Sequence, residues 1–155
     1  MLSLVAAVGA VQADLRSDIN AAYGKVDVAM KAKDVKRVEA AMKEVVAPDF
    51  KYVEGGTTQN FKTFIGNLNA SVAMMDKITV STSRVLRFKQ DGDHATGSVE
   101  HVMKGTMKMP DKKVHTTSWT GVFAEEYRKV GGKWKTSKIV PTSQKFLVDG
   151  KPAKM

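Results

Sequence analysis

Apolar residues recur every three or four positions in the first half of this chain and at every second position in most of the second half. The first spacing is typical of helices that bury one side, and the second is typical of β-strands that bury one face. Helices that precede a run of strands predict an α+β fold, in which the helices pack on one face of a mainly antiparallel sheet.

The helical pattern predicts three helices. The first begins near Asp14, the second is capped by Asp34 and ended by Pro48, and Thr58 or Asn60 caps the third. Their apolar stripes comprise Leu15, Ile19, Ala22, Val26, Ala29 and Met30 in the first, Val35, Val38, Met42 and Val45 in the second, and Phe61, Phe64, Ile65 and Leu68 in the third. The polar residues predicted to face away from the core of the first helix are Arg16, Asp18, Lys25 and Asp27.

The alternating pattern predicts long strands joined by tight turns. A short strand over 49–53 comes first, and Gly131 and Gly132 supply the positive φ angles of the last hairpin. In the strand after residue 75 the alternation breaks at 82–84, which indicates a β-bulge. The apolar faces comprise Ile78, Val80, Leu86 and Phe88 in that strand, Val99, His101, Met103, Met107 and Met109 in the next, and Trp119, Phe123 and Tyr127 in the one after it.

Composition narrows the possible functions. The 155 residues suffice for one domain with a core, and 43% hydrophobic with 26% charged residues is typical of a globular protein. The absence of cysteine excludes disulfides and thiolate metal sites. Because no phosphate-binding loop, dinucleotide motif or metal-ligand spacing occurs, we predict neither a cofactor nor a metal. The net charge of +9 is mostly lysine, which favours a lysine-rich surface over nucleic-acid binding.

Residues 1–13 are apolar but too few to span a membrane, so no membrane span is predicted. They fit a signal-peptide remnant, with Val11 and Ala13 before a cut at Asp14, or an extension of the first helix. No basic residue precedes the apolar run, yet we favour the signal, which predicts a secreted or periplasmic protein rather than a cytoplasmic one. The single domain is then predicted over 14–149, with a frayed tail over 150–155.

Three segments, taken in order, resemble the nuclear transport factor 2-like (NTF2-like) superfamily, including its SnoaL-like and ketosteroid-isomerase-like members. They are 47–53 with the following glycine turn, 92–96 and 127–135, and the resemblance covers most of the chain from Asp14 to about Lys145. It implies a cone-shaped α+β barrel, in which a strongly curved sheet surrounds a pocket that three N-terminal helices partly cover. The superfamily includes isomerases, dehydratases, cyclases, hydrolases and non-catalytic members, so the fold alone does not decide activity.

The resemblance to the ketosteroid-isomerase branch implies a carboxylate base after the short strand, where this chain has Glu54. The expected tyrosine of the first helix falls near Val26, with Tyr23 most of a turn away, and the second acid falls near Ala124, with Glu125 beside it on the opposite face. The implied catalytic set is therefore incomplete. Glu54 also fits a solvated turn residue, which is the interpretation we favour.

His101 lies between Val99 and Met103 on an apolar strand face. It fits a general base or a hydrogen-bond donor to a ligand, but a neutral core histidine with a hydrogen-bond partner is favoured. The residues that could line an apolar ligand pocket are Tyr23, Phe50, Tyr52, Met103, Trp119 and Phe123. The same residues also fit a filled core.

Three functions follow from these observations. The favoured one is an exported, non-catalytic small-molecule-binding or scaffold protein with an apolar cavity, assembled as a homodimer through the sheet. The second is a cofactor-independent isomerase or dehydratase (a lyase) that uses Glu54 and His101 for proton transfer. The third is a polyanion-binding module that uses Lys104, Lys108, Lys133, Lys135 and Lys138.

Overall fold

One mixed sheet with three helices forms the domain in a computed structural model that describes residues 3–154, with side chains described from residue 15 onward. The helices are α1 (Ser3–Lys31), α2 (Val35–Val45) and α3 (Phe61–Met74). The strands are β1 (Val46–Glu54), β2 (Thr57–Asn60), β3 (Met75–Asp91), β4 (His94–Lys108), β5 (Val114–Val130), β6 (Lys133–Val148) and β7 (Lys151–Pro152). Within residues 3–154, no helix has the length and apolar character needed to cross a membrane.

The sheet runs in the order β2-β1-β6-β5-β4-β3, and β7 pairs with β6. Only the β1–β6 pair is parallel among the strand pairs of the described chain; the others are antiparallel. The sheet is curved and unclosed, and the three helices pack against it, which confirms the predicted α+β architecture. The short strand β7 falls within the segment that was predicted to be frayed.

Side-chain caps begin two of the helices, as the sequence predicts. Asp34 accepts a hydrogen bond from the backbone N–H of Arg37 at 3.1 Å, and Asn60 accepts one from that of Thr63 at 3.0 Å. Each cap satisfies a backbone donor that the helix itself leaves without a partner. Of the two residues proposed to cap α3, the structure therefore selects Asn60.

The end of α2 and its apolar stripe differ from the prediction. The helix ends at Val45 because Val46 already has an extended backbone, with φ −95° and ψ 150°, and Pro48 lies inside β1. Val35 is 36% exposed because it opens the helix beside the cap. The residues of α2 that are buried are Val38, Ala41, Met42 and Val45.

Strand β3 is irregular, but not at 82–84, where the sequence predicts a bulge: residues 80–85 pair with β4 in continuous register. The register between β3 and β4 shifts between Ile78 and Val80 and again between Val85 and Arg87. As a result, Val85 is buried, whereas Leu86, which was predicted to be buried, is 40% exposed. Each shift moves the following side chains relative to the two faces of the sheet.

The last hairpin forms as predicted. Gly131 and Gly132 have φ angles of 60° and 79°, and Val130 pairs with Lys133 across the turn. The hairpin brings Tyr127 and Trp134 into the core, where each is about 2% exposed. This part of the sheet packs against the stripe of α1 that contains Leu15 and Ile19.

A histidine joins the β4–β5 turn to the β6–β7 turn. His115 Nδ1 lies 2.7 Å from Asp149 Oδ2, and His115 Nε2 lies 2.8 Å from Asp111 Oδ2. Both ring nitrogens can donate only when the ring is protonated, so the bonds to Asp149 and then to Asp111 raise the pKa of His115. The hydrogen bond from His115 lowers the pKa of Asp149.

This three-residue contact should make stability depend on pH. The raised pKa of His115 gives a contribution that is complete below about pH 6.5 and is lost as the pH rises through the raised value. The lowered pKa of Asp149 gives a second contribution to stability, which is present above about pH 4 and is lost as the pH falls further. We expect the melting temperature of the wild type to exceed that of His115→Gln most between these values. The prediction is contradicted if this difference in melting temperature does not vary between pH 4 and 9. It is also contradicted if His94→Gln, at an exposed histidine, changes the melting temperature by the same amount.

Candidate functional site

A cavity of about 860 Å³ lies between the inner face of the sheet and helices α1 and α3. Its walls are mainly apolar, so the methionines of the strands and helices line the space without filling it. The methionines that line it are Met30, Met42, Met74, Met75, Met103, Met107 and Met109. The Tyr, Phe and Trp residues that line it are Tyr23, Tyr52, Phe64, Trp119, Phe123 and Phe146.

A hydrogen-bonded chain of three side chains enters this cavity from α1, β3 and β4. Ser83 Oγ donates to Asp27 Oδ1 at 3.0 Å and lies 2.9 Å from His101 Nδ1. Ser81 Oγ donates to the same Asp27 oxygen at 2.8 Å. Asp27 was predicted to face away from the core, and that prediction is wrong, because the two serines hold its carboxylate at the cavity wall.

These bonds define which nitrogen of His101 carries the proton. A carboxylate only accepts hydrogen bonds, so the single hydroxyl proton of Ser83 is used on Asp27. Ser83 Oγ must then accept from His101, which assigns the proton to Nδ1. In the neutral ring, Nε2 is left with a lone pair.

A second buried group lies behind the histidine. Glu125 is 1% exposed, and its Oε1 accepts a hydrogen bond from the Tyr23 hydroxyl at 2.5 Å. Its Oε2 accepts one from Thr136 Oγ1 at 3.3 Å. Burial, and then the charge of Glu125, raise the pKa of Tyr23 well above its ordinary value. Tyr23 is therefore a neutral donor that is committed to this carboxylate.

His101 lies between the two carboxylates. Its Nε2 is 3.9 Å from Glu125 Oε1, beyond hydrogen-bonding distance, while Asp27 is linked to its other nitrogen through Ser83. The Tyr23 ring contacts the imidazole edge-on, with centroids 4.9 Å apart and an interplanar angle of 74°. Carboxylates therefore lie on two sides of this ring.

A separate polar group lies at the solvent-facing end of the cavity. Glu54 Oε2 accepts from the Tyr52 hydroxyl at 3.0 Å, and Glu54 Oε1 accepts from Gln144 Nε2 at 2.8 Å. Partial burial, and then the hydrogen bond to Glu54, raise the pKa of Tyr52. Glu54 is exposed, as favoured from the sequence, yet it lines the same cavity as His101.

Most of the residues proposed from the sequence as pocket-lining meet at this cavity: Tyr23, Tyr52, Met103, Trp119 and Phe123. Phe50 is the exception, since it is 3% exposed and belongs to the core. The rings of Phe61 and Phe64 from α3 lie 6.3 and 5.3 Å from its ring and cover it.

Five polar residues described at the site were not proposed from the sequence as functional: Asp27, Ser81, Ser83, Thr136 and Gln144. Glu125 was noted, but without a partner. Its position has the same parity as Trp119, Phe123 and Tyr127, which was the available signal that it faces inward. The expected tyrosine and acid of the ketosteroid-isomerase branch were sought near Val26 and Ala124, whereas Tyr23 and Glu125 form the contact.

Solved structures of several proteins are similar to this chain. LinA is 22% identical, with 93% of this chain and 90% of LinA covered and a TM-score of 0.61. The hexachlorocyclohexane dehydrochlorinase LinA-type3 from Novosphingobium barchaimii is 17% identical, with 92% of this chain and 91% of the other covered and a TM-score of 0.55. An NTF2-like superfamily protein from Salmonella enterica is 10% identical, with 93% of this chain and 95% of the other covered and a TM-score of 0.60.

The chain has the NTF2-like fold. No protein-family model matches the sequence, and the comparison with curated proteins gave no match. Identities this low establish the fold, while the activity has to be argued from the site itself.

Proposed function

We propose that this protein is a cofactor-independent lyase that removes a proton from carbon in a small apolar molecule, with His101 as the general base. The observation that carries the proposal is the Asp27–Ser83–His101 chain at the wall of a large apolar cavity. It orients the imidazole and leaves the Nε2 lone pair as the free acceptor, which is what a general base requires.

In the proposed reaction, His101 Nε2 takes a proton from a carbon atom of the bound molecule. The electron pair of the broken C–H bond forms a carbon–carbon double bond, and a group on the adjacent carbon leaves with its own bonding pair. Asp27, linked through Ser83, and Glu125 at 3.9 Å lie beside the imidazolium. It later releases its proton to solvent or to the leaving group, which restores the neutral ring.

Elimination is favoured over isomerisation by the hydrogen bonds around His101. An enolate intermediate needs a donor directed at its oxygen. The hydroxyls of Tyr23, Ser81 and Ser83 already donate to carboxylates. A leaving group on carbon makes no such demand. Proteins of the same fold include a hexachlorocyclohexane dehydrochlorinase, which supports this choice of reaction class.

The substrate class follows from the cavity. Methionine and aromatic side chains make most of its wall, so they favour an apolar molecule, and methionine adapts to varied shapes. The reacting C–H bond must be acidified by a neighbouring electron-withdrawing group, such as a halogen or a carbonyl, since imidazole is a moderate base. Haloalkanes of moderate size meet both conditions and form no enolate, whereas β-substituted carbonyl compounds would pass through one.

The experiment is a screen in D₂O. Halogenated cyclohexanes and β-hydroxy or β-halo ketones are first ranked by the rise in melting temperature that they cause, because a ligand of the native state must stabilise it. Those that bind are then incubated with the protein, and mass spectrometry follows alkene formation and deuterium incorporation. We expect alkene formation from at least one ligand. Deuterium exchange without alkene formation favours an isomerase instead.

A non-catalytic binding protein is the second candidate. This function would use the same apolar cavity. It is favoured by the absence of a free hydroxyl donor among Tyr23, Ser81 and Ser83. Ligands that raise the melting temperature but show neither alkene formation nor deuterium exchange over prolonged incubation overturn the lyase proposal and leave this function.

A further inference from the structure

We propose that Tyr52, Glu54 and Gln144 form a second recognition site, which binds a hydrogen-bond-donating end group of the ligand, an ammonium in preference to a hydroxyl. The ligand would then be an elongated apolar molecule with its reactive carbon at His101 and a donor group at the other end. The assignment of the reactive end rests on the proposed function, whereas the recognition of the donor end does not.

The three side chains are already arranged around one carboxylate. Tyr52 and Gln144 each donate to a different oxygen of Glu54, at 3.0 and 2.8 Å. These bonds restrict the rotation of the carboxylate and leave each oxygen with a further lone pair directed elsewhere. A carboxylate cannot donate, so the group offers its remaining lone pairs to a hydrogen-bond donor.

The sheet register gives the distance between this group and His101. His101 on β4 pairs with Gly121 on β5, and Gly121 pairs with Gln144 on β6. Directly paired residues share a face of the sheet, and neighbouring strands lie about 4.8 Å apart, so the backbone positions of His101 and Gln144 are about 10 Å apart across the cavity floor. A molecule of two fused rings or a chain of comparable length spans this distance.

The floor between the two sites is apolar. A side chain at Gly121 would place its Cβ 2.6 Å from Phe123 Cε2 and 2.7 Å from Trp119 Cζ2, so the two rings lie over the glycine. The apolar middle of a ligand can therefore lie on aromatic rings between two polar ends.

Aromatic rings beside Glu54 favour a cation. The Tyr52 and Phe64 rings lie 5.1 Å apart with an interplanar angle of 32°, and both line the cavity. Ammonium groups are attracted to aromatic faces as well as to carboxylates. A ligand that ends in a carboxylate would meet the negative charge of Glu54 and bind less well.

The test uses three probes with one skeleton: phenylhexylamine, phenylhexanol and phenylhexanoic acid. Their dissociation constants are measured by tryptophan fluorescence, to which Trp119 in the cavity wall contributes, and by calorimetry at pH 7. We expect the amine to bind about tenfold more tightly than the acid, which corresponds to about 1.4 kcal/mol, with the alcohol between them. In Glu54→Gln, which keeps an oxygen for Tyr52, the difference between amine and acid should fall to about twofold or less.

A matched variant controls for the loss of one negative charge. Glu39→Gln removes a partly exposed carboxylate of α2 that pairs with Lys43 and does not line the cavity, so it should leave the order of the probes unchanged. Added salt should weaken the amine more than the alcohol, because it screens the exposed charge of Glu54.

Equal binding of the three probes to the wild type, or an unchanged order in Glu54→Gln, overturns the second recognition site. The site is also overturned if Glu39→Gln abolishes the order of the three probes as Glu54→Gln does, because the order would then depend on the net charge of the protein. These outcomes are distinct from failure of the lyase proposal, because the probes carry no leaving group and their binding does not depend on turnover.

Discussion

Glu125→Ala is expected to lower the free energy of unfolding by about 2–4 kcal/mol. Glu125 is 1% exposed and accepts the hydroxyl protons of Tyr23 and Thr136. Removing it leaves two buried hydroxyls without their acceptor, at about 1–3 kcal/mol each, and opens a void, while the relief of burying a charge offsets part of the loss. Urea unfolding followed by circular dichroism measures the change.

Two variants separate hydrogen bonding from charge and position. Glu125→Gln keeps an oxygen for Tyr23 and places an amide N–H next to Thr136, so it should cost about 1 kcal/mol or less. Glu126→Ala removes the exposed neighbour that pairs with Lys138, and exposed pairs contribute about 0–1 kcal/mol. Equal losses in Glu125→Ala and Glu126→Ala would show that Glu125 does not hold the core in this way.

The fold could be predicted from the sequence because most of it is encoded by local signals. A cap such as Asp34, a glycine pair such as Gly131 and Gly132 and a period of two in β5 each determine the structure of a few neighbouring residues. These signals do not interact over long distances, so they can be assigned one at a time and then placed in order. The two predictions that failed in α2 and β3, at Val35 and Leu86, lie where a helix begins or a register shifts.

The site depends on contacts that have no local signal. Asp27 and Ser83 are 56 residues apart, and Tyr23 and Glu125 are 102 residues apart. The rule that charged residues face solvent placed Asp27 outside, although it follows Tyr23 by four positions and therefore shares a face of α1 with it. Buried polar groups are exceptions to that rule, and only their partners on other strands identify them.

The fold and the site are connected through α1. Tyr23 and Asp27 project from the same side of this helix, and each binds a different part of the sheet: Glu125 on β5 and the serines of β3. The polar contacts that fix α1 on the sheet are therefore the same contacts that surround His101. A site of this kind couples stability to chemistry, so each variant of it needs a measurement of both.

His101→Gln is expected to reduce the rate of elimination, for any substrate found in the screen, by about 10²–10⁴-fold, because glutamine cannot accept the proton. The dissociation constant of the same ligand should change by less than about threefold, since apolar walls supply most of the binding. The measurements are single-turnover rates and calorimetric binding on the same preparation. A rate that survives in His101→Gln would show that another group is the base.

The two serines that bind Asp27 provide a matched test of the chain to His101. Both donate to Asp27 Oδ1, at 2.8 Å for Ser81 and 3.0 Å for Ser83, but only Ser83 contacts the imidazole. A hydrogen bond to a charged group contributes about 1.5–3 kcal/mol, so Ser83→Ala should slow elimination by about tenfold or more. Ser81→Ala should slow it by about threefold at most. Equal effects of the two substitutions would mean that Asp27 acts on stability alone and that Ser83 does not orient the base.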